Sequence, residues 1–229
     1  TSNLVINVKN LSKSFGQGRQ KVDVLRGVNF QLERGFTSAI LGKSGSGKST
    51  LLSLLAGLDR PDSGEISLMG TDLAGLTEDG LTVFRSSHIG IIFQHFHLLP
   101  HLSALENVSL ALEISHRDMS KTDVADRSKL ALKQVGLEQR ASHLPSMLSG
   151  GEKQRVAMAR AVVTDPGILL ADEPSGSLDE ETGGQVMDQV FELVESKKTS
   201  LVLVTHDEDL ASRCDSQWFL DYGNLEQRS

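Results

Sequence analysis

The run Gly42-Lys43-Ser44-Gly45-Ser46-Gly47-Lys48-Ser49 has the composition and spacing of a phosphate-binding loop. Its glycines let the backbone curl until successive N–H groups point at phosphate oxygens, and a helix that begins at its end adds a positive terminus. In that arrangement Gly42, Ser44, Gly45, Ser46 and Gly47 form the cradle. Lys48 reaches the β- and γ-phosphates of a nucleoside triphosphate, Ser49 offers a hydroxyl to Mg²⁺, and Thr50 adds a phosphate contact. A flexible Gly/Ser loop capping a helix is the bland alternative. The Lys-Ser pair at the required position, with an apolar strand before it and a helical stretch after it, decides against that.

Three further groups can serve the same phosphate. Ile168-Leu169-Leu170-Ala171 ends in Asp172-Glu173, an apolar strand delivering two carboxylates. At the carboxyl end of a parallel strand, where ligands bind in open α/β sheets, Asp172 is expected to hold Mg²⁺ through water and Glu173 to act on the attacking water. An Asp-Glu pair by itself is an ordinary solvated turn; the apolar strand before it carries the functional reading. Ser200 to Thr205 is a second such strand and ends in His206, which can hydrogen-bond a γ-phosphate, although a lone histidine is more often structural. Gln94 follows Gly90-Ile91-Ile92-Phe93 in the same manner and can meet Mg²⁺ or water. Phe15 is either an adenine-stacking ring or a core aromatic. Finally, Leu148-Ser149-Gly150-Gly151-Glu152 precedes a helical run and forms a second anion cradle: Ser149 can cap the helix and Gly150 and Gly151 permit close backbone approach.

The elements that must hold these residues alternate between strand and helix. Val5–Val8, Val28–Leu32, Thr37–Leu41, Ile66–Leu68, Ile168–Ala171 and Ser200–Thr205 read as strands; Ser49–Leu58 and 184–197 read as helices. Between about 95 and 160 helical periodicity dominates, as in Ala125 to Val135, where Leu130, Leu132 and Val135 share faces with Ala125 and Ala131. Trp218 to Leu225 suggests a hairpin turning at Asp221-Tyr222-Gly223-Asn224. Apolar strands separated by helices imply parallel pairing in an α/β fold.

Composition limits the classes. The chain has 229 residues, 38% hydrophobic and 23% charged, with a net charge of −7, which suits a globular protein of one core plus a subdomain. The acidic balance argues against a general nucleic-acid binder. The single cysteine, Cys214, reads as a small buried hydrophobe, and the low count fits a reducing compartment. No apolar run has the length of a membrane span, and the start lacks a signal-peptide pattern, so the chain is not expected to enter a membrane itself.

Taken in order, the phosphate loop, Leu148 to Glu152, Asp172-Glu173-Pro174-Ser175-Gly176-Ser177-Leu178-Asp179 and His206 resemble the ABC ATPase family across nearly the whole chain. The resemblance implies a P-loop NTPase (RecA-like) α/β core with an antiparallel β subdomain, over 1–94 and 165–229, and an inserted helical subdomain over 95–164. It implies ATP and Mg²⁺, and a head-to-tail homodimer formed on ATP binding, with Ser149, Gly150 and Gly151 of one protomer contacting the γ-phosphate held by Lys48 of the other. It puts Asp179 in a loop crossing that interface and Phe15 at the adenine. It also implies a separate integral membrane permease, which would hold the chain peripherally at the cytoplasmic face of the inner membrane.

The segment Phe93 to Val108 is similar to the LolD/MacB group of lipoprotein-release and macrolide-efflux ATPases. The tail from Thr205 to Asp215 looks most like its YbbA-type members. Ser175 and Ser177 stand where that group usually has Thr and Asn, and leave the acidic residues intact. Two other classes compete. A nucleic-acid-associated ABC ATPase usually carries a second ATPase domain, zinc cysteines or a long coiled coil, none of which fits here. A regulator of a non-transport partner such as a cell-wall system stands as the alternative, although the intact Glu173 and His206 favour hydrolysis.

Overall fold

A computed structural model of the chain describes residues 3–17 and 20–228. It contains β1 (Leu4–Gln17), β2 (Gln20–Glu33), β3 (Thr37–Leu41), α1 (Lys48–Leu55), β4 (Ser63–Leu68), β5 (Thr71–Asp72), α2 (Glu78–His88) and β6 (Ile89–Ile92). There follow α3 (Ala104–Ser115), α4 (Lys121–Gln134), α5 (Gly150–Val162), β7 (Ile168–Asp172), α6 (Glu180–Lys197), β8 (Ser200–Val204), α7 (Glu208–Ser212), β9 (Ser216–Asp221) and β10 (Asn224–Arg228). The chain divides into two compact units, residues 1–82 with 198–229 and residues 83–197.

The first unit holds two sheets. One is antiparallel, in the order β2-β1-β4-β5. Its first two strands are far longer than the short fragments expected, because register shifts between Val8 and Leu11 and between Leu11 and Lys13 bend them without ending them. The other contains β3 paired in parallel with both β8 and β9, with β10 antiparallel on β9. β3 and β8 are buried almost throughout, which is why both are short, apolar and lack alternation. α1 buries Leu51, Leu52, Leu54 and Leu55. Cys214 is buried as expected, and desolvation pushes its thiol up to about 11, so it behaves as an inert core group.

The second unit is built on the parallel pair β6–β7, with Ile92 opposite Ala171, and on four helices. Serine caps start three of them: Ser103 and Ser149 make full capping boxes with Glu106 and Glu152, and Ser120 accepts from Asp123 N–H. In α4 the buried side chains are Val124, Ser128, Ala131 and Leu132, whereas Leu130 is exposed, so the inward face differs from the one counted from apolar periodicity. Ser128 occupies the inside because its hydroxyl donates to Val124 O at 2.7 Å.

β6 crosses α5 so closely that a Cβ on Gly90 would sit 2.2 Å from Ala161 O, a backbone atom that cannot step aside. Gly90→Ala is therefore expected to destabilise the protein by about 2–3 kcal/mol or more. Thermal unfolding should show a Tm lower by roughly 5 °C or more.

Candidate functional site

The loop from Gly42 joins the end of β3 to the start of α1, as its strand-then-helix context requires. Gly42 is buried where the loop passes β9: a Cβ there would lie 2.4 Å from Leu220 O and 2.7 Å from Ser46 Oγ. Gly47 has φ 104°, a conformation that favours glycine, and precedes the first helical residue. Lys48 is buried and its ammonium donates to Gly42 O at 2.7 Å and Lys43 O at 3.0 Å. Two of its three N–H groups thus hold the loop's own carbonyls, leaving one for a ligand. Lys43, Ser44, Gly45 and Ser49 are exposed.

These residues fit a phosphate group on two observations. The Ser46 hydroxyl is buried with no hydrogen-bond partner, an orphan that an anion's oxygen would satisfy. In addition, Lys43 to Ser46 form one wall of a cleft of about 390 Å³ whose other walls are Val22, Val24 and the β9–β10 turn at Asp221-Tyr222-Gly223. Phe15 lies within β1, directly opposite Val22 on β2. Its ring is 45% exposed, which settles it as a surface aromatic, with Lys13 Nζ 5.2 Å from its centroid. His206 is exposed just after β8, whose end is held to β3 by Thr205 N–H donating to Ile40 O.

The second unit brings together the remaining predicted residues. The β6–β7 register ends at Ile92 opposite Ala171, so the segments starting at Phe93 and at Asp172 leave the sheet at the same end. Glu173 has φ 43°, left-handed for a residue with a side chain, a strain that clusters at functional sites. A Cβ on Gly176 would lie 2.7 Å from Gln94 Nε2, so the glutamine amide rests over this glycine. The Ser177 hydroxyl donates to Gln94 O at 2.6 Å. Ser177, one of the two departures from the group pattern, therefore has a structural task.

At the start of α5, Ser149 and Gly150 are exposed and Gly151 is buried. Ser149 Oγ accepts from Glu152 N–H at 3.2 Å while Glu152 accepts from Ser149 N–H at 2.8 Å. That backbone N–H, followed by Arg140, holds the Glu152 carboxyl below the usual range. The Ser149 hydroxyl also hydrogen-bonds the Glu152 carboxylate, so the capping box holds the helix end in shape beside its positive terminus. A Cβ on Gly151 would lie 2.5 Å from Thr182 Cγ2, and one on Gly150 3.2 Å from Leu178 Cδ2, so the cradle packs on the segment carrying Asp179. Asp179 accepts from Thr182 N–H at 3.0 Å, which caps α6 and lowers its pKa.

Sequence reasoning missed the residues that hold the Gln94 segment. Gln154 and Arg160, both on α5, donate only to backbone carbonyls, and a carbonyl carries no residue type for a sequence pattern to register.

A family model described as ABC transporter matches residues 25–176. The chain is 46% identical over 225 residues to the ABC transporter ATP-binding protein YbbA of Escherichia coli (strain K12), covering 98% of each chain. It is 46% identical over 224 residues to the lipoprotein-releasing system ATP-binding protein LolD of Hydrogenovibrio crunogenus, covering 98% of this chain and 96% of that one. A solved dimeric structure of the ATP-binding cassette MJ0796, in a post-hydrolysis state bound to ADP and Pi, matches with TM-score 0.90 and 38% identity, covering 98% of this chain and 99% of that one.

Proposed function

The chain belongs to the ABC transporter family, and on that premise we propose that it is the ATP-binding, ATP-hydrolysing subunit of a transporter complex, driving a separate membrane permease by ATP-dependent closure of a homodimer. The observation that carries this is the presence of two anion cradles in one chain, the loop before α1 and the capped, exposed start of α5. A nucleotide needs one phosphate loop; the second cradle finds its ligand when another copy supplies the phosphate.

In this reading Phe15 stacks on adenine, and Gly42, Ser44, Gly45, Ser46, Gly47, Lys48 and Thr50 hold the phosphates. Glu173 orients and deprotonates the attacking water, and His206 donates to the γ-phosphate. Ser149, Gly150 and Gly151 reach the γ-phosphate of the other protomer, with Asp179 in the adjoining loop. Ser49, Gln94 and, through water, Asp172 are the oxygen donors for Mg²⁺, which would supply charge neutralisation to the phosphates.

The permease partner is supported by an open, largely apolar groove of about 290 Å³ in the second unit, lined by Ile91, Phe93, Ala111, Ile114, Arg160 and Ala161. No helix among the described residues is long and apolar enough to cross a membrane. The chain would therefore sit peripherally at the cytoplasmic face of the inner membrane through that partner.

A mixing experiment tests the shared site. Lys48→Met removes the phosphate lysine, and Gly150→Asp puts a carboxylate in the second cradle at a helix position that tolerates acids. Each variant alone should be nearly inactive. Mixed in equal amounts they should recover up to about a quarter of the parent rate, since half of the dimers then hold one complete composite site. No recovery in mixtures shown to contain heterodimers would sink the shared-site reading.

A further inference from the structure

The segment from Phe93 to Ser103, which carries Gln94, is tied down along its length. Gln154, fully buried on α5, donates through one amide nitrogen to Phe93 O at 3.1 Å and Pro174 O at 2.6 Å. Ser177 takes the carbonyl of Gln94 itself. Two turns further along α5, Arg160 donates to Phe96 O at 3.0 Å and His97 O at 2.6 Å. His97 has φ 47°, and its ring meets Phe93 edge-on at 4.9 Å. Beyond it, buried Asn107 accepts from Leu99 N–H and donates to the carbonyls of Leu99, Leu102 and Ser103.

Two of these anchors stand on the same helix and grip the backbone on either side of Gln94. We propose that Gln154 and Arg160 are positioning residues that hold the Gln94 segment as one body with α5, so that the place of the Gln94 amide follows the helix whose start carries Ser149 to Gly151. The inference rests on the reading of Gln94 as a group that meets Mg²⁺ or the attacking water. Through the bond to Pro174 O, Gln154 also ties the residue after Glu173 to the same helix. Engagement of the α5 cradle by a phosphate would then be felt at both Gln94 and Glu173 without either touching that phosphate.

The amide of Gln154 suits this task because its two N–H groups can satisfy two carbonyls from different strand ends, which no apolar side chain of its size can do. Arg160 brings a planar fork that spans the carbonyls of two successive residues. Its own desolvation, which lowers the guanidinium pKa, is tolerated because both carbonyls solvate it.

The test is a double-mutant cycle on the full chain, read by ATPase kinetics and Mg²⁺ titration. Gln154→Met should lower kcat about tenfold with KM for ATP within about twofold, and should raise the Mg²⁺ concentration needed for half-maximal rate. In a Gln94→Ala background the same substitution should lower kcat by only about threefold, because the loss through Gln94 is gone and only the bond to Pro174 O, beside Glu173, remains to be broken. Equal losses in both backgrounds, or no loss in either, overturn the inference. A Gln94→Ala variant as active as the parent overturns instead the reading of Gln94. Should Gln154→Met fail to fold, Arg160→Met takes its place in the cycle. Arg160→Lys, which keeps one donor to the carbonyls, should then recover part of the loss, and its failure to do so counts against the clamp.

Discussion

Replacing Glu173 by glutamine is expected to lower steady-state phosphate release at least about a hundredfold while leaving ATP affinity within about twofold. β7 ends at Asp172, and Glu173 follows with its backbone in the left-handed region at φ 43°. Such a conformation costs on the order of 1–3 kcal/mol and persists only where the surroundings hold it. They do so on the C-terminal side: Glu173 O accepts from Gly176 N–H at 2.9 Å, and Pro174 O accepts from buried Gln154 at 2.6 Å. Glutamine inherits this backbone and nearly the same shape, so only the proton acceptor is lost. ATP should then be bound but not consumed, and the protein should accumulate as an ATP-bound dimer. Size-exclusion chromatography with and without ATP reads that directly. Undiminished hydrolysis would remove Glu173 from its proposed role; an inactive variant that stays monomeric with ATP would remove the dimer.

The parts of the site that were legible in the sequence share a physical form. Thr37–Leu41, Ile168–Asp172 and Ser200–Val204 are buried strands whose apolar stretches, Ala39–Leu41, Ile168–Ala171 and Leu201–Val204, give way abruptly to glycine or polar groups. The change from buried to exposed is what marks a strand's carboxyl end, and so the loop before Lys48, the Asp172-Glu173 pair and His206. β1 and β2 hid their length for the opposite reason. Register shifts and Asn10 at φ 49° interrupt their alternation, so each shows only its regular half, and the part of β1 that holds Phe15 lies beyond the Val5–Val8 signal. Leu130 and Ser128 show how far apolar periodicity reaches: a serine that satisfies its hydroxyl on the preceding turn can face inward, and a leucine can then face water.

Gln154 shows a further kind of concealment. It stands two residues beyond the motif Leu148 to Glu152, where it reads as one polar residue on a helix. Its partners are the carbonyls of Phe93 and Pro174, 61 and 20 residues away. Only the meeting of β6, β7 and α5 gives that amide a task. The orphaned Gln154 Oε1 and Ser46 Oγ are of the same nature, being groups whose significance depends on burial.

Lys48→Met is expected to abolish the thermal stabilisation that ATP confers and to reduce hydrolysis by at least about a hundredfold. With ATP at about a hundred times its Kd, the parent protein gains about 2.7 kcal/mol of stability, which for a chain of this size raises Tm by roughly 5–10 °C. The variant should shift by less than about 1 °C at the same ATP concentration. Two effects oppose each other in the absence of nucleotide. Removing the buried ammonium relieves its desolvation, while Gly42 O and Lys43 O lose their donor. The apo Tm should therefore move little, and this separates a binding role from a scaffolding one. If Lys48 serves chiefly to hold the loop's carbonyls, the apo protein loses stability and the ATP shift survives. If it is the phosphate ligand, the apo protein stands and the shift disappears. Methionine is the informative substitution because it keeps the length and burial of the side chain and removes only the charge and the donors.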